Sequence, residues 1–411
     1  MTLLDRHILA RFLLNFAILF VIMFVFAGAI DFVLALDEFV EAAGRLAEEG
    51  AGHAERLWLL VRLAADFQAP RGFQFYAFLH GMLAIGAMGF TLSRMHRHRE
   101  LVAMLAAGIS MHRIAMPFVV GMFVLGLVQL VNQELFLPRV APLLIRGHEE
   151  IGQRTIRAFP VDFTRDDRGT LLQAAEFHPS AGTLSGVTIL ERDERGRTRR
   201  RVTADAATWA VEETPEGPVT GWRLEGGEGV RLDMRAVAAM RGGEAAAGGG
   251  PATGGGGAVP GTVAPESVRM EREAVAFFPT NLSPRVLVLR RHGAYASMLS
   301  LRQIEEILAN PGAVDREALI QALSRYRWSR FSSVIVNVLL MWLALPAFLL
   351  RGPANLLLRS LLCAGITLPA VILAAIFTLV TIPGFPPAVS VFLPALVLAP
   401  VVLAQWLRVE T

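Results

Sequence analysis

The sequence predicts an α-helical polytopic membrane protein with six transmembrane helices and one inserted all-β domain. Hydrophobic residues make up 54% of the 411 positions and the mean hydropathy is +0.48, which is too apolar for a soluble protein of this length. Apolar runs of about 19 to 25 residues, enough to cross a hydrocarbon core of roughly 30 Å, occur in two groups of three. Between the groups the chain changes to short alternating segments separated by turn residues, as in β structure.

The six apolar runs carry few charges, and arginines flank them at alternate ends. The runs lie at residues 12–36, 73–93, 114–133, 331–350, 360–382 and 388–407. Arginines precede the first run, cluster within residues 94–113, occur as Arg351 and Arg359 between the fourth and fifth runs, and follow the last run, whereas the turn at 383–387 has no charge. By the positive-inside rule, this distribution places both termini in the cytoplasm. The first run is longer than the apolar core of a cleaved signal peptide, which favours an uncleaved signal anchor.

The runs define three regions of the chain. Residues 1–140 are expected to hold spans one to three, with a short cytoplasmic helix near residues 96–108, and residues 326–411 are expected to hold spans four to six. Residues 141–325 form the predicted β domain outside the cytoplasm. Its predicted strands include 183–191, 198–204, 207–212 and 221–224, separated by turn signals at 193–196 and 215–218. Short strands at this spacing favour a sandwich or jelly roll, and the glycine-rich loop at 242–262 is predicted to be disordered.

The stretch at residues 94–117 is the strongly basic segment between two spans. After its arginines, Glu100 begins a run of good helix formers in which Leu101, Met104 and Leu105 share one face. Gly108 is a natural end for this helix, and the next serine is a plausible N-cap for the following span. The pattern predicts a short helix on the cytoplasmic side; an ordinary basic loop is the alternative.

Composition excludes several functions. The chain has no lysine, so it lacks the residue that a phosphate-binding P-loop or a Schiff-base site needs. Its single cysteine, Cys363, permits neither an internal disulfide nor a CxxC metal site. No HExxH or GxSxG motif occurs, and a net charge of +3 gives no polybasic surface for nucleic acid. We therefore expect a non-enzymatic protein without a cofactor of its own.

Five ionisable residues at or near span ends are candidate functional groups. Asp31, His80 and Glu134 lie within or at the ends of apolar runs, where ionisable residues are functional candidates by default. Arg139 and Arg146 follow the third span and could hold a lipid phosphate through paired hydrogen bonds. Snorkelling, helix packing and simple headgroup contact are the alternatives. Asp31, Glu134 and the two arginines are the predicted substrate-binding set.

Four amide side chains inside the spans suit a structural role. Asn15, Gln129, Asn132 and Asn337 are predicted to make hydrogen bonds between helices, since an unpaired amide in hydrocarbon is costly.

The basic segment also carries a resemblance. Residues 97–117 closely resemble the coupling-helix region of lipopolysaccharide-export permeases of the LptF/LptG type, and so does the opening stretch at residues 4–12. Residues 202–209 and 221–226 are similar to strands of that family's periplasmic β-jelly roll. The resemblance covers the whole layout of three spans, domain and three spans.

The resemblance implies a transporter half in the bacterial inner membrane. A second homologous permease subunit would complete a lipid-sized cavity, and a separate cytoplasmic ABC ATPase dimer would use the ATP. The ATPase would dock on Glu100, which would meet a basic group of the ATPase, and on the face of Leu101, Met104 and Leu105, in the helix that ends at Gly108. Lipopolysaccharide, or a related glycolipid, would pass from the cavity through the jelly roll to a periplasmic jelly-roll bridge protein.

One departure from the family pattern concerns the outer end of the first span. The family often has basic residues there, whereas this chain has Asp31, Asp37 and Glu38. Two alternatives stay open from the residues alone: an ABC-type mechanotransmission subunit acting on periplasmic protein partners, and an ion-coupled secondary transporter.

Overall fold

The protein consists of two compact units. The computed structural model describes residues 2–47, 52–148, 151, 157–193, 196–215, 217–231, 271–309, 317–349, 356–380 and 385–409. A helical unit comprises Met1–Ile156, His292–Ala309 and Arg316–Thr411, and a sheet unit comprises Arg157–Arg291 and Asn310–Asp315. The predicted disordered loop at 242–262 lies outside the described residues.

Long helices dominate the helical unit. The long helices are α1 (Leu3–Leu34), α3 (His53–Arg97), α5 (Met111–Val131), α9 (Glu317–Leu349), α10 (Leu356–Leu379) and α11 (Pro387–Val409). The shorter elements are α2 (Leu36–Leu46), α4 (Glu100–Ala106), a π-helical turn (Asn132–Phe136), α6 (Leu137–Leu144) and α8 (Leu301–Ala309). A short 3-10 helix, Gly293–Met298, precedes α8, and helix α7 (Pro284–Arg291) belongs to the sheet unit.

Several of these helices suit a membrane. Within the described residues, five stretches are long and apolar enough to cross one: Leu3–Leu34, His53–Arg97, Met111–Leu144, Leu319–Phe348 and Pro387–Leu407. A sixth apolar stretch, Leu361–Phe377, is shorter. Each stretch overlaps one of the six predicted runs. At 45 residues, α3 joins the second predicted run to the amphipathic segment that precedes it.

The helices of this unit pack around one apolar core. Phe12 of α1, Met88 of α3 and Phe118 of α5 are fully buried in it. The backbones approach closely where the sequence supplies glycine. A Cβ on Gly121 would lie 2.6 Å from the Phe12 ring, so only glycine lets α5 and α1 meet there.

Polar side chains also join the helices, as predicted from the sequence. The Asn15 amide donates to Thr91 Oγ1 at 2.8 Å, which links α1 to α3. The Asn132 amide donates to the Phe73 carbonyl at 2.9 Å, and Asn337 Nδ2 lies 3.1 Å from His80 Nε2. These contacts confirm the interhelical role of the amides.

The described part of the sheet unit is built on one antiparallel sheet. Its strands are β1 (Phe159–Arg165), β2 (Leu171–His178), β3 (Thr183–Arg192), β4 (Thr198–Thr214), β5 (Gly217–Glu225), β6 (Glu228–Arg231), β7 (Glu271–Ala274) and β8 (Phe277–Pro279). The order is β1-β2-β3-β4-β5-β8, with β6 between β4 and β7. The two strands predicted at 198–204 and 207–212 are one 17-residue strand, β4. One edge of β4 pairs with β3, and its other edge pairs first with β6 and then with β5.

Alternate residues of the strands line an apolar interior. Phe177, Leu184, Ile189 and Val202 are completely buried there, as the period of two in a half-buried strand requires. Trp222 is also completely buried, and its indole Nε1 donates to the Leu282 carbonyl at 3.0 Å. This hydrogen bond lets the indole lie in an apolar interior without an unsatisfied N–H group.

Candidate functional site

The basic segment folds into a short helix with a left-handed residue at each end. Arg99, just before α4, has φ 59° and is the one non-glycine residue with positive φ among the described residues. Gly108, just after α4, has φ 79°. The Ser110 hydroxyl then accepts a hydrogen bond from the Arg113 amide at 3.4 Å and caps α5. Glycine and serine stop one helix and start the next, as predicted.

Glu100, the first residue of α4, is paired within its own chain. Arg11 Nη1 of α1 donates to Glu100 Oε2 at 2.7 Å and to Oε1 at 3.0 Å. These hydrogen bonds hold the pKa of Glu100 below its usual value, against an opposing effect of partial burial, and the positive charge of Arg11 acts in the same direction as the hydrogen bonds. Both side chains remain about one-third exposed, so a partner can reach the pair.

The apolar face of α4, which the sequence predicts to be the docking face, packs against the chain's own core. Leu101 is 1% exposed and Met104 is 9% exposed, because both join the core of the helical unit. Leu105 packs against the same core and is partly buried. The exposed face is instead formed by Val102, Ala103, Ala106 and Ala107, of which Val102 is 55% exposed.

A second cluster gathers around Asp31, near the end of α1. Arg71 Nη1 and Gln68 Nε2 of α3 each donate to Asp31 Oδ2 at 2.6 Å. His148 Nε2 lies 3.2 Å from Asp31 Oδ1. Two other segments of the chain thus converge on one carboxylate, whose side chain is 31% exposed. The donors are those that would also serve a phosphate group.

Arg146 lies in the same cluster. The guanidinium carbon of Arg71 lies 3.9 Å from the centroid of the Phe67 ring, and the guanidinium carbon of Arg146 lies 6.0 Å from the same centroid. Arg146 is 3% exposed, and its Nε donates to the Leu143 carbonyl at 3.2 Å. Arg71 and Arg146 therefore lie on the same aromatic ring, next to the Asp31 carboxylate.

The remaining two candidates have other surroundings. Arg139 is exposed, and its Nη1 donates to the Leu135 carbonyl one turn earlier at 2.7 Å. Glu134 lies in the π-helical turn and is ion-paired with Arg330 of α9. Its Oε2 also accepts from the Leu301 amide at 3.0 Å, while Arg330 donates to the Leu299 carbonyl. Glu134 therefore fixes the start of α8 rather than standing free for a ligand.

His80 has structural partners on both ring nitrogens. Its Nδ1 lies 3.1 Å from the Tyr76 carbonyl, and its Nε2 lies 3.1 Å from Asn337 Nδ2. A proton on Nδ1 satisfies the carbonyl and leaves Nε2 to accept from the amide, which is the neutral form. This arrangement matches helix packing, the alternative offered by the sequence.

A groove of about 350 Å³ opens between α3, α9 and α10. Phe90 and Phe348 contribute apolar walls, and Thr367 turns its hydroxyl away to the Cys363 carbonyl at 2.8 Å. The lining is therefore mostly apolar. Over the described ranges, no group of three or more His, Cys, Asp or Glu side chains is placed to hold a metal ion.

Sequence reasoning missed four of the site residues, namely Gln68, Arg71, His148 and Arg330. Each charged member lies near a span end, which is a visible signal. The partner of such a residue can lie far away in the sequence, as His148 and Asp31 do with a separation of 117 residues. Hydropathy and periodicity act over one helix and cannot predict such pairs.

Comparison with known proteins agrees with this layout. Residues 82–408 match the family described as the lipopolysaccharide export system permease LptF/LptG. The match covers more than half of the chain and includes α4, the strands and the last three long helices. A comparison with curated proteins finds no match.

Proposed function

The chain belongs to the LptF/LptG family of lipopolysaccharide export permeases, and on that premise we propose that it is one transmembrane subunit of an ATP-driven glycolipid exporter. The family match carries the proposal, since it runs through the basic segment, the sheet and the later apolar helices. The chain is accordingly a membrane transport permease. The transported lipid is lipopolysaccharide or a related glycolipid.

In this proposal the six apolar stretches all cross the inner membrane of a bacterium, with both termini in the cytoplasm. The arginine distribution supports this orientation. The sheet unit then lies in the periplasm as the jelly-roll domain, and its apolar interior shields acyl chains. Shielding matters because each methylene exposed to water costs roughly 0.8 kcal/mol. A periplasmic jelly-roll bridge protein receives the lipid from this domain.

A cytoplasmic ABC ATPase dimer supplies the energy by docking on α4. The absence of lysine supports a separate ATPase, because a P-loop requires one. Glu100 is accessible and anionic, and the exposed small residues of α4 offer a flat surface for a partner groove. Leu101, Met104 and Leu105 hold α4 on its own bundle and so pass its displacement to the spans.

The Asp31 cluster is the proposed contact for lipid phosphates. Arg71 and Arg146 replace the basic residues that the family often places at the outer end of the first span. Beside them α1 exposes apolar side chains; Val25 and Phe26 are 60% and 61% exposed. Such a surface suits acyl chains or the second permease subunit, which we expect to complete the cavity. Arg139 remains available at the same membrane face.

Co-purification from native membranes tests the proposal. The wild-type chain is expected to bring an ABC ATPase with it in gentle detergent. Glu100→Gln, which keeps the shape and removes the charge, should weaken recovery, and Glu100→Arg should abolish it. Glu55→Arg, an equal charge reversal at an exposed site on α3, is the matched control. Absence of an ATPase from the wild-type preparation would refute the assignment.

A second assay separates lipid transport from force transmission to protein partners. Photo-crosslinking residues at Val25 and at Leu184 in the sheet interior should capture lipopolysaccharide if the chain carries lipid. If only periplasmic proteins are captured, the mechanotransmission alternative is correct. An ion-coupled transporter would instead require neither the ATPase nor the Glu100 charge.

A further inference from the structure

The carboxylate proposed to meet the ATPase is already occupied by a cation of its own chain. Both Glu100 oxygens lie within 3.0 Å of Arg11 Nη1, although the two residues are 89 positions apart. Arg11 Nη1 takes one acceptor site on each oxygen, so a basic group that approaches from the same side competes with Arg11 for these sites.

From this geometry we propose that Arg11 is an intrachain competitor for Glu100, which the ATPase must displace when it docks. The inference rests on the proposed function and adds a step to it. In the free subunit Arg11 neutralises Glu100; in the complex the ATPase's basic group replaces it, and Arg11 is released from α4. Arg11 is thus a positioning residue that sets the strength of docking without touching the partner.

The surroundings of the pair favour competition over a purely structural role. Leu101 and Met104 anchor α4 to the core, so α4 stays in place when the ion pair opens. The side chains of Arg11 and Glu100 are 33% and 36% exposed, which keeps the pair within reach of a partner and keeps its strength modest. An exposed pair of this kind is broken at small cost, as an exchangeable contact requires.

The test measures how fast the co-purified ATPase dissociates from the immobilised subunit. Arg11→Gln should slow dissociation about two- to fivefold, since the competitor is gone and an exposed ion pair contributes a factor of this order. Arg6→Gln removes an exposed arginine from the same helix and should leave the rate unchanged. In the double variant Arg11→Gln/Glu100→Gln, the rate should equal that of Glu100→Gln alone, because Arg11 acts only through Glu100.

The outcomes are distinct. If the ATPase leaves the Arg11→Gln subunit at the wild-type rate or faster, while Glu100→Gln still weakens docking, the competitor role is wrong and the proposed function stands. If no ATPase accompanies the wild type, both fail. Thermal unfolding of each variant shows whether the subunit is folded. As a second readout, the charge-swapped variant Arg11→Glu/Glu100→Arg should restore the internal pair and the stability but not the docking.

Discussion

Removing the carboxylate of Glu134 tests how much the helical unit depends on one buried ion pair. The Arg330 side chain is 2% exposed, whereas that of Glu134 is 30% exposed. Glu134→Ala therefore leaves a guanidinium buried without its counter-ion, and we expect the free energy of unfolding to fall by about 3–5 kcal/mol. Arg330→Met leaves a carboxylate that water still reaches, so a smaller loss of about 1–3 kcal/mol is expected.

The double variant Glu134→Ala/Arg330→Met distinguishes a coupled pair from two independent contacts. Because it buries no unpaired charge, its loss should be smaller than the sum of the single losses by at least about 2 kcal/mol. Unfolding in mixed micelles, followed by tryptophan fluorescence, gives the free energies. Glu41→Ala is the control, since it breaks an exposed ion pair in which Glu41 Oε1 and Arg45 Nη1 are 3.9 Å apart. It should change the free energy of unfolding by less than about 1 kcal/mol. Additive single losses, or a Glu134→Ala effect as small as this control, would refute the reasoning.

Three further outcomes follow from the helical unit. The pKa of Glu100 is lower in the folded protein than the usual value of 4.5. Its ion pair therefore stabilises α4 fully above pH 4.5, and this stabilisation is lost as the pH falls through the pKa of the folded state. Amide hydrogen exchange in α4 should increase only below pH 4.5. Gly81→Ala puts a Cβ 2.4 Å from Asn337 Oδ1, so the free energy of unfolding should fall by about 1–3 kcal/mol in the same assay. Gly44→Ala, where a Cβ meets open space, is the control and should leave this free energy unchanged or raise it. Arg99→Gly relieves a positive φ and should raise the unfolding free energy by about 1 kcal/mol; a loss would show that the arginine side chain outweighs its backbone strain.

Local pattern was sufficient for the elements themselves. Long uncharged runs can satisfy their backbone in a membrane only as helices, so their positions follow from hydropathy. Gly108 and Ser110 mark the end of one helix and the start of the next because backbone conformation and capping are properties of single residues. Alternation likewise located β3 and part of β4. The break expected inside β4 does not occur, because β3 pairs with both sides of it: Val187 is the partner of Ala204, and Leu184 is the partner of Ala207.

Which groups pair was decided by tertiary structure alone. Asp31 looks like a misplaced acid in the sequence, and only the fold brings Arg71 and His148 to it. Glu134 resembles a free intramembrane charge until α9 supplies Arg330. These partners lie in other segments of the chain. The free energy of a charge depends on its nearest counter-ion and on water, and neither is encoded locally.

The short helix α4 shows the same division within seven residues. By itself, the sequence determined that Leu101 and Met104 share an apolar face, since that is a matter of helical spacing. An apolar stripe is equally stable against its own chain or against a partner, because burial of apolar surface is non-directional. The fold turned this stripe into the core of the subunit and left Glu100, in contact with Arg11, at the edge that a partner can reach.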